Sequence, residues 1–355
     1  MNLEDLGYND KLKKYITEHN LEDFKAGRVI TEHKERYIVK TAEDEYEAEI
    51  TGNMRFTARG REDFPAVGDW VAITPYESDF AIIHSILPRY SMVKRQAAGN
   101  SGEVQVIAVN IDYAFIVQAV DRDFNINRLE RYLIICNASH VQPVILLSKT
   151  DLIDEFTLNE MLSKIQARIK DVPVFSISNE TLNGYDEIKS FIKKGKTYCL
   201  MGSSGVGKST LMNNLLGRVA MKTDKISEST SKGRHVTTHR ELVILENGGI
   251  LIDNPGMREV GIADTSGGLE LTFDIITRLA EECKFKDCKH ISESGCAVIE
   301  AVKNGELDKT TYENYLKLER EKTHYESTVA ERRQKDKAFG KILKTYKRDM
   351  KRNED

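Results

Sequence analysis

Cysteine is scarce in this chain, with five residues among 355, too few for a disulfide framework at this length. Long apolar runs are missing too. None approaches the roughly 18 residues that span a bilayer, which excludes a bundle of transmembrane helices. The opening MNLEDLGYNDKLKK has no apolar stretch of the signal-peptide kind, so a cytoplasmic protein with no membrane association is expected. Proline and glycine, at 6 and 23 residues, are far too few for a collagen-like chain. A net charge of −4 gives no overall sign of nucleic-acid binding, although a sum over several domains can hide a local basic surface. What is present, 40% hydrophobic and 30% charged residues, suits a folded globular protein and excludes disorder throughout. The length is about two to three times that of a usual domain.

The pattern divides the chain into an N-terminal arm (1–26), a β-rich segment (27–97), an α/β segment (98–265) and a C-terminal segment (266–355). The arm offers only the short apolar stripe Leu12, Tyr15, Ile16 and Leu21, and a peripheral position is expected. The runs RVITEHKERYIVKTA, EYEAEI, GDWVAI and FAIIHSIL, broken by Gly, Asp and Pro, predict about five short strands closed into a small barrel, OB-like or SH3-like. Next, apolar strands (VQVIAVNIDYAFIVQAV, PVILLS, VPVFSIS, KTYCLMG) alternate with helices (RLERYLIICNAS, EFTLNEMLSKIQARIK, DEIKSFIK). This rhythm predicts a parallel sheet with helices on both faces, which binds ligands at the carboxyl ends of its strands.

One such end carries Gly202-Ser203-Ser204-Gly205-Val206-Gly207-Lys208-Ser209-Thr210 before the helical LMNNLLG. This is the G-x4-G-K-[ST] phosphate loop in its strand-loop-helix context. Backbone N–H groups and the helix N-terminus would cradle phosphates, Lys208 would reach the β- and γ-phosphates, and Ser209 would bind Mg²⁺. The strand PVILL ends in Ser148-Lys149-Thr150-Asp151, similar to the [NT]-K-x-D signature of GTPases. The Asp151 carboxylate can accept from guanine N1–H and the exocyclic amine, whereas adenine offers no matching pair of donors. The stem of Lys149 can pack on the base. Ser148 replaces the usual Asn and removes an amide that ties this loop to its neighbours, so weaker nucleotide binding is expected. Ser178-Asn179 is a loose match to a Ser-Ala base-supporting loop whose main-chain N–H meets guanine O6. These base-reading segments precede the phosphate loop, the reverse of the order in most small GTPases. Circular permutation allows this where domain termini are close.

Downstream, Asp253-Asn254-Pro255-Gly256 matches D-x-P-G at a strand end. Asp253 would hold Mg²⁺ through water, and the Gly256 N–H would meet the γ-phosphate. In GRHVTTHREL either Thr237 or Thr238, with Thr238 favoured, would complete the magnesium shell. Met257 stands where a water-orienting Gln is found in Ras-like enzymes, and a thioether cannot do that work, so His235 is the candidate polarising group. Cys283-x4-Cys288-x-His290-x5-Cys296 offers three thiolates and an imidazole, a closed tetrahedral set for one structural Zn²⁺. Cys136 and Cys199 lie in apolar segments and read as core. Residues 331–352 hold ten Lys/Arg against three Asp/Glu, an excess that can grip phosphate backbones.

Together the permuted order, GSSGVGKST, GRHVTTHREL, DNPGMRE and CKFKDCKHISESGCAV resemble the bacterial ribosome small-subunit-dependent GTPase A family (RsgA, also called YjeQ) from about Gly27 onward. The resemblance implies an OB-fold, a circularly permuted P-loop GTPase domain and a C-terminal zinc-binding helical domain. It implies a monomeric, subunit-stimulated GTP hydrolase that binds GTP and GDP, contacts the small ribosomal subunit and its rRNA, and assists late maturation of that subunit. It also supports a role in hydrolysis for His235.

Overall fold

The computed structural model describes residues 1–33, 36–76, 78–96, 104–121, 124–217, 240–253 and 267–323. The arm begins with a short 3₁₀ turn, Leu3–Leu6, closed by an Asn2–Asp5 capping box. Helix α1 (Asp10–Glu18) follows, its first N–H groups capped by the Asn9 side chain. Contrary to the expected peripheral position, Leu6 and Leu12 are buried with Trp70, Ala72 and Leu87. The Tyr8 ring meets Trp70 edge-on at 5.0 Å.

Five strands form the barrel: β1 (Lys25–His33), β2 (Arg36–Lys40), β3 (Glu45–Ile50), β4 (Trp70–Pro75) and β5 (Phe80–Ile86). Their order is β1-β2-β3-β5-β4, and β4 pairs back with β1 to close it. A short helix α2 (Gly52–Thr57) joins β3 to the segment before β4. That order is the OB-like one. In β3 the alternation of exposed Glu with buried Tyr46, Ala48 and Ile50 shows the two-residue period that aims one face at the barrel core.

An antiparallel pair, β6 (Met92–Gln96) and β7 (Val104–Val109), leads into the α/β region. The run expected as one strand is two, because Asn110 takes a left-handed φ of 54° and turns the chain between β7 and β8 (Tyr113–Ala119). Then follow α3 (Ile126–Ala138), β9 (Gln142–Ser148), α4 (Glu155–Arg168), β10 (Val174–Ser176), α5 (Tyr185–Phe191), β11 (Thr197–Met201), α6 (Lys208–Leu216), β12 (Arg240–Ile244) and β13 (Ile250–Asp253). In the sheet the order is β10-β9-β8-β11-β13-β12, and the first five are parallel. Helices cover both faces. Ile116, Ile145 and Cys199 meet Leu129 and Cys136 on one side, while Phe115, Val117 and Leu146 meet Ile188 and Leu211 on the other. Cys136 and Cys199 are both fully buried, and burial pushes the Cys199 thiol up to about 12. Strand β12 runs antiparallel to β13 and pairs with β1 at Thr31–Glu241 and Glu32–Arg240, so barrel and α/β sheet are one continuous hydrogen-bonded surface.

The C-terminal segment contains α7 (Gly268–Thr272), α8 (Asp274–Glu281), α9 (Ala297–Lys303) and α10 (residues 309–323). It docks on α3. Ile134 enters its core beside Leu269 and Phe273. A Cβ on Gly268 would lie 2.4 Å from the Ile134 carbonyl, so only glycine permits this approach. Arg131 grips Glu321 through two 2.7 Å bonds. Buried Glu130 accepts from Arg168 and from Asn314 of α10. Among the described residues no helix is long and apolar enough to cross a membrane.

Arg28 is buried where arm, barrel and α/β sheet meet. It donates to the carbonyls of Leu6, Gly68 and Asn110 and to the Thr197 hydroxyl, with its guanidinium carbon 5.8 Å from the centre of the Trp70 ring. One side chain thus ties together four acceptors from four segments, of which the Gly68 and Asn110 carbonyls also accept from Asn110 Nδ2 and the Tyr90 hydroxyl. Replacing Arg28 with Met removes all four bonds at once, at an expected cost of about 3 kcal/mol or more. Urea unfolding of the full chain measures this, and a loss below about 1 kcal/mol would contradict it.

Candidate nucleotide site and metal centre

The parallel strands deliver their carboxyl ends to one edge of the sheet. Strand β11 is buried along its whole length and runs into Gly202, whose φ of 143° and 2.2 Å Cβ approach to the Val117 carbonyl demand glycine. The loop ends at Gly207, which precedes α6 with no side-chain cap, so the helix N-terminus keeps backbone donors for an anion. Lys208 lies back over the loop, its Nζ donating to the carbonyls of Gly202 (2.8 Å) and Ser203 (2.5 Å). Ser204, Ser209 and Thr210 are half-buried, Val206 is buried and Gly205 is exposed. Arg128, in the first turn of α3, donates to the Ser203 hydroxyl at 3.1 Å.

The loops expected to read the base stand beside this loop. Ser148 is fully buried and its hydroxyl donates to the Val206 carbonyl at 2.6 Å. Lys149 takes a left-handed φ of 63° and its Nζ pairs with Asp121 at 2.7 Å. Asp151 sits in the 3₁₀ turn Thr150–Leu152 and accepts from the Ser178 hydroxyl at 2.6 Å. Ser178 is itself held by the N–H groups of Glu180 and Thr181. Asn179 donates through Nδ2 to the Gly207 carbonyl (3.0 Å) and accepts at Oδ1 from the Tyr185 hydroxyl (2.7 Å). Asn214 of α6 donates to both the Asn179 carbonyl and the Tyr185 oxygen. Burial pushes the Tyr185 phenol up to about 12, which keeps it a neutral donor.

The tie expected to be lost with Ser148 is therefore made in another way: the Ser148 hydroxyl takes one phosphate-loop carbonyl and the Asn179 amide takes the next. Sequence reasoning missed Asp121, Arg128, Tyr185 and Asn214, which belong to no nucleotide motif. Asp253 ends β13 with its backbone opposite Glu241, one strand from β11. Its side chain, together with His235, Thr237, Thr238, Gly256, Met257 and the basic run 331–352, lies outside the described residues.

The four sulfur and nitrogen ligands foreseen in the C-terminal segment do converge. One donor atom from each of Cys283, Cys288, His290 and Cys296 lies within 4.8 Å of the others. Cys283 Sγ is 3.8 Å from Cys296 Sγ, and His290 Nδ1 is 3.6 Å and 3.4 Å from these two sulfurs. A tetrahedral ion with metal–sulfur bonds of about 2.3 Å and metal–nitrogen bonds of about 2.0 Å requires edges of about 3.5–3.8 Å, so the donor set fits. The loop is braced around it. Glu293 accepts N–H bonds from Lys289, Ile291 and Ser292, which hold its carboxyl down at about 2. From α10, the Tyr312 hydroxyl donates to the His290 carbonyl.

Fold and site together define a circularly permuted P-loop GTPase, in which the Ser148-Lys149-Thr150-Asp151 loop comes before the phosphate loop in the chain. A sequence model described as RsgA GTPase matches residues 86–263, and one described as ABC transporter matches 185–352, a span that contains the phosphate loop but not Asp151. A "Small ribosomal subunit biogenesis GTPase RsgA 1" of Bacteroides thetaiotaomicron is 41% identical over 98% of this chain and 97% of its own. An RsgA 2 of Vibrio parahaemolyticus is 38% identical over 99% and 94%. The crystal structure of YjeQ from Thermotoga maritima is similar with a TM-score of 0.61 and 26% identity, covering 83% of this chain and 96% of that one. YloQ, described as a circularly permuted GTPase, shares the fold with a TM-score of 0.62 at 24% identity, over 86% and 98%. The chain belongs to the RsgA GTPase family, and it is a GTP hydrolase with a Cys3His metal-binding centre.

For the metal centre, protein purified without chelator is expected to carry about one metal ion per chain. Cys296→Ala should bring that content close to zero and lower the melting temperature. Full metal content in the variant would contradict the four-ligand assignment.

Proposed function

We propose that this protein binds the small ribosomal subunit through its rRNA and assists a late step of its maturation, hydrolysing GTP to GDP and phosphate faster when the subunit is bound. The observation that carries this reading is similarity at 38–41% identity over almost the whole chain to proteins named for small-subunit biogenesis. The protein would act in the cytoplasm as a monomer.

In this reading the N–H groups of the loop Gly202–Ser209 bind the phosphates, and Lys208 exchanges its loop carbonyls for phosphate oxygens. Asp151 reads the guanine edge, the Lys149 stem packs on the base with Thr150 beside it, and the main chain at Ser178–Asn179 meets O6. Ser209, Thr238 and, through water, Asp253 would hold Mg²⁺. The adjacency of the β11 and β13 strand ends fits that set. When bound, Mg²⁺ neutralises charge on the β- and γ-phosphate oxygens. His235 polarises the attacking water in place of the residue that Met257 cannot replace, and the Gly256 N–H senses the γ-phosphate. Zn²⁺ is the ion that a closed Cys3His set favours, with a structural role only.

GTP and ATP turnover, each with and without purified small subunits, tests the proposal on the intact protein and on Lys208→Ala. GTP turnover should exceed ATP turnover and rise by on the order of tenfold or more with subunits. Lys208→Ala should remove it. Equal use of the two nucleotides, or no response to subunits, would overturn the reading.

A further inference from the structure

We propose that Asn179 is a positioning residue for the nucleotide phosphates, its side-chain amide holding the phosphate loop in the shape that binds them. The inference rests on the guanine-nucleotide reading of the site and adds a role for a side chain so far credited only with its main-chain N–H.

The amide is fixed at both ends. Oδ1 accepts the Tyr185 hydroxyl at 2.7 Å, which directs Nδ2 toward the Gly207 carbonyl at 3.0 Å. Asn214, on the helix that starts at the phosphate loop, bonds to both the Asn179 carbonyl and the Tyr185 oxygen and closes a ring of polar contacts between the two loops. Gly207 fits this amide closely: a Cβ there would lie 2.4 Å from Nδ2, at a φ of 94° that already disfavours a side chain.

Pinning the carbonyls orients the donors. In a planar trans peptide the C=O of one residue points opposite to the N–H of the next. Ser148 holds the Val206 carbonyl, and Asn179 holds the Gly207 carbonyl together with the Leu211 N–H of α6, so the N–H groups of Gly207 and Lys208 are turned to the other side, where an anion would sit. An Asn at position 148 would bring an amide to this loop, whereas Ser148 reaches only one carbonyl. An amide reaches the loop from position 179 instead, where a Ser-Ala loop would carry a methyl group. Base reading is separately secured, because Asp151 is held by Ser178 and not by Asn179.

The test compares GDP with guanosine on the full-length chain, using the unaltered protein, Asn179→Ala and Tyr185→Phe. Alanine keeps the main-chain N–H and suits a Ser-Ala loop, so Asn179→Ala should fold. It should weaken GDP binding on the order of tenfold, with faster GDP release, while guanosine binding changes less than about twofold. Tyr185→Phe, which frees one end of the amide, should show a smaller loss with the same selectivity for the phosphate-bearing ligand. An unchanged ratio of GDP to guanosine affinity in Asn179→Ala, whether neither affinity falls or both fall equally, would overturn the inference, while the guanine-nucleotide reading stands on the binding of the unaltered chain. Failure of the unaltered chain to bind GDP would overturn both.

Discussion

Parallel hydrogen bonding among β9, β8, β11 and β13 is the constraint on which the site depends. A parallel register aligns strand ends whatever the order in which the chain visits them. Ser148 at the end of β9, Asp121 after β8, the phosphate loop after β11 and Asp253 at the end of β13 are therefore neighbours despite the long stretches of sequence between them. The short bonds from Ser148 and Asn179 to consecutive phosphate-loop carbonyls are possible only because the register brings the loops side by side. Permutation changes which loop is made first and leaves this edge intact.

The outer modules are tied to that sheet by different means. The barrel is joined by backbone pairing of β12 with β1 and by Arg28, which reaches the arm, the barrel and the start of β11. The metal module is joined through α3. The first turn of α3 touches the phosphate loop through Arg128, and its later turns hold the module through Glu130, Arg131 and Ile134. One rigid helix thus contacts both the phosphate loop and the metal module, alongside the covalent path from β13 to α7.

Much of this was legible in the sequence because local chemistry dictated it. The phosphate loop and the Cys3His cluster are short, contiguous patterns whose geometry follows from spacing. The alternation of apolar strands and helices predicted the parallel sheet, and the five-strand barrel was foreseen from its strand runs, its OB-like form from the family resemblance. Features that depend on distant partners were not legible. Arm docking turns on Leu6 meeting a barrel surface around Trp70, and an isolated leucine carries no such signal. Strand β12 is short and is defined by pairing with β13 and β1, which no local pattern encodes. Ser148 looked like a loss because its compensation lies at Asn179, in a different motif.

The central claim is that loops reordered in the chain still assemble a guanine-reading site around Asp151. Its most direct measurement is the affinity of the unaltered protein and of Asp151→Asn for GDP and for xanthosine diphosphate. Guanine offers donors to a carboxylate, whereas xanthine presents a carbonyl at C2 that an amide can donate to. The account predicts GDP over xanthosine diphosphate for the unaltered chain and a reversal for Asp151→Asn, each by on the order of a hundredfold. The same preference in both proteins would contradict it.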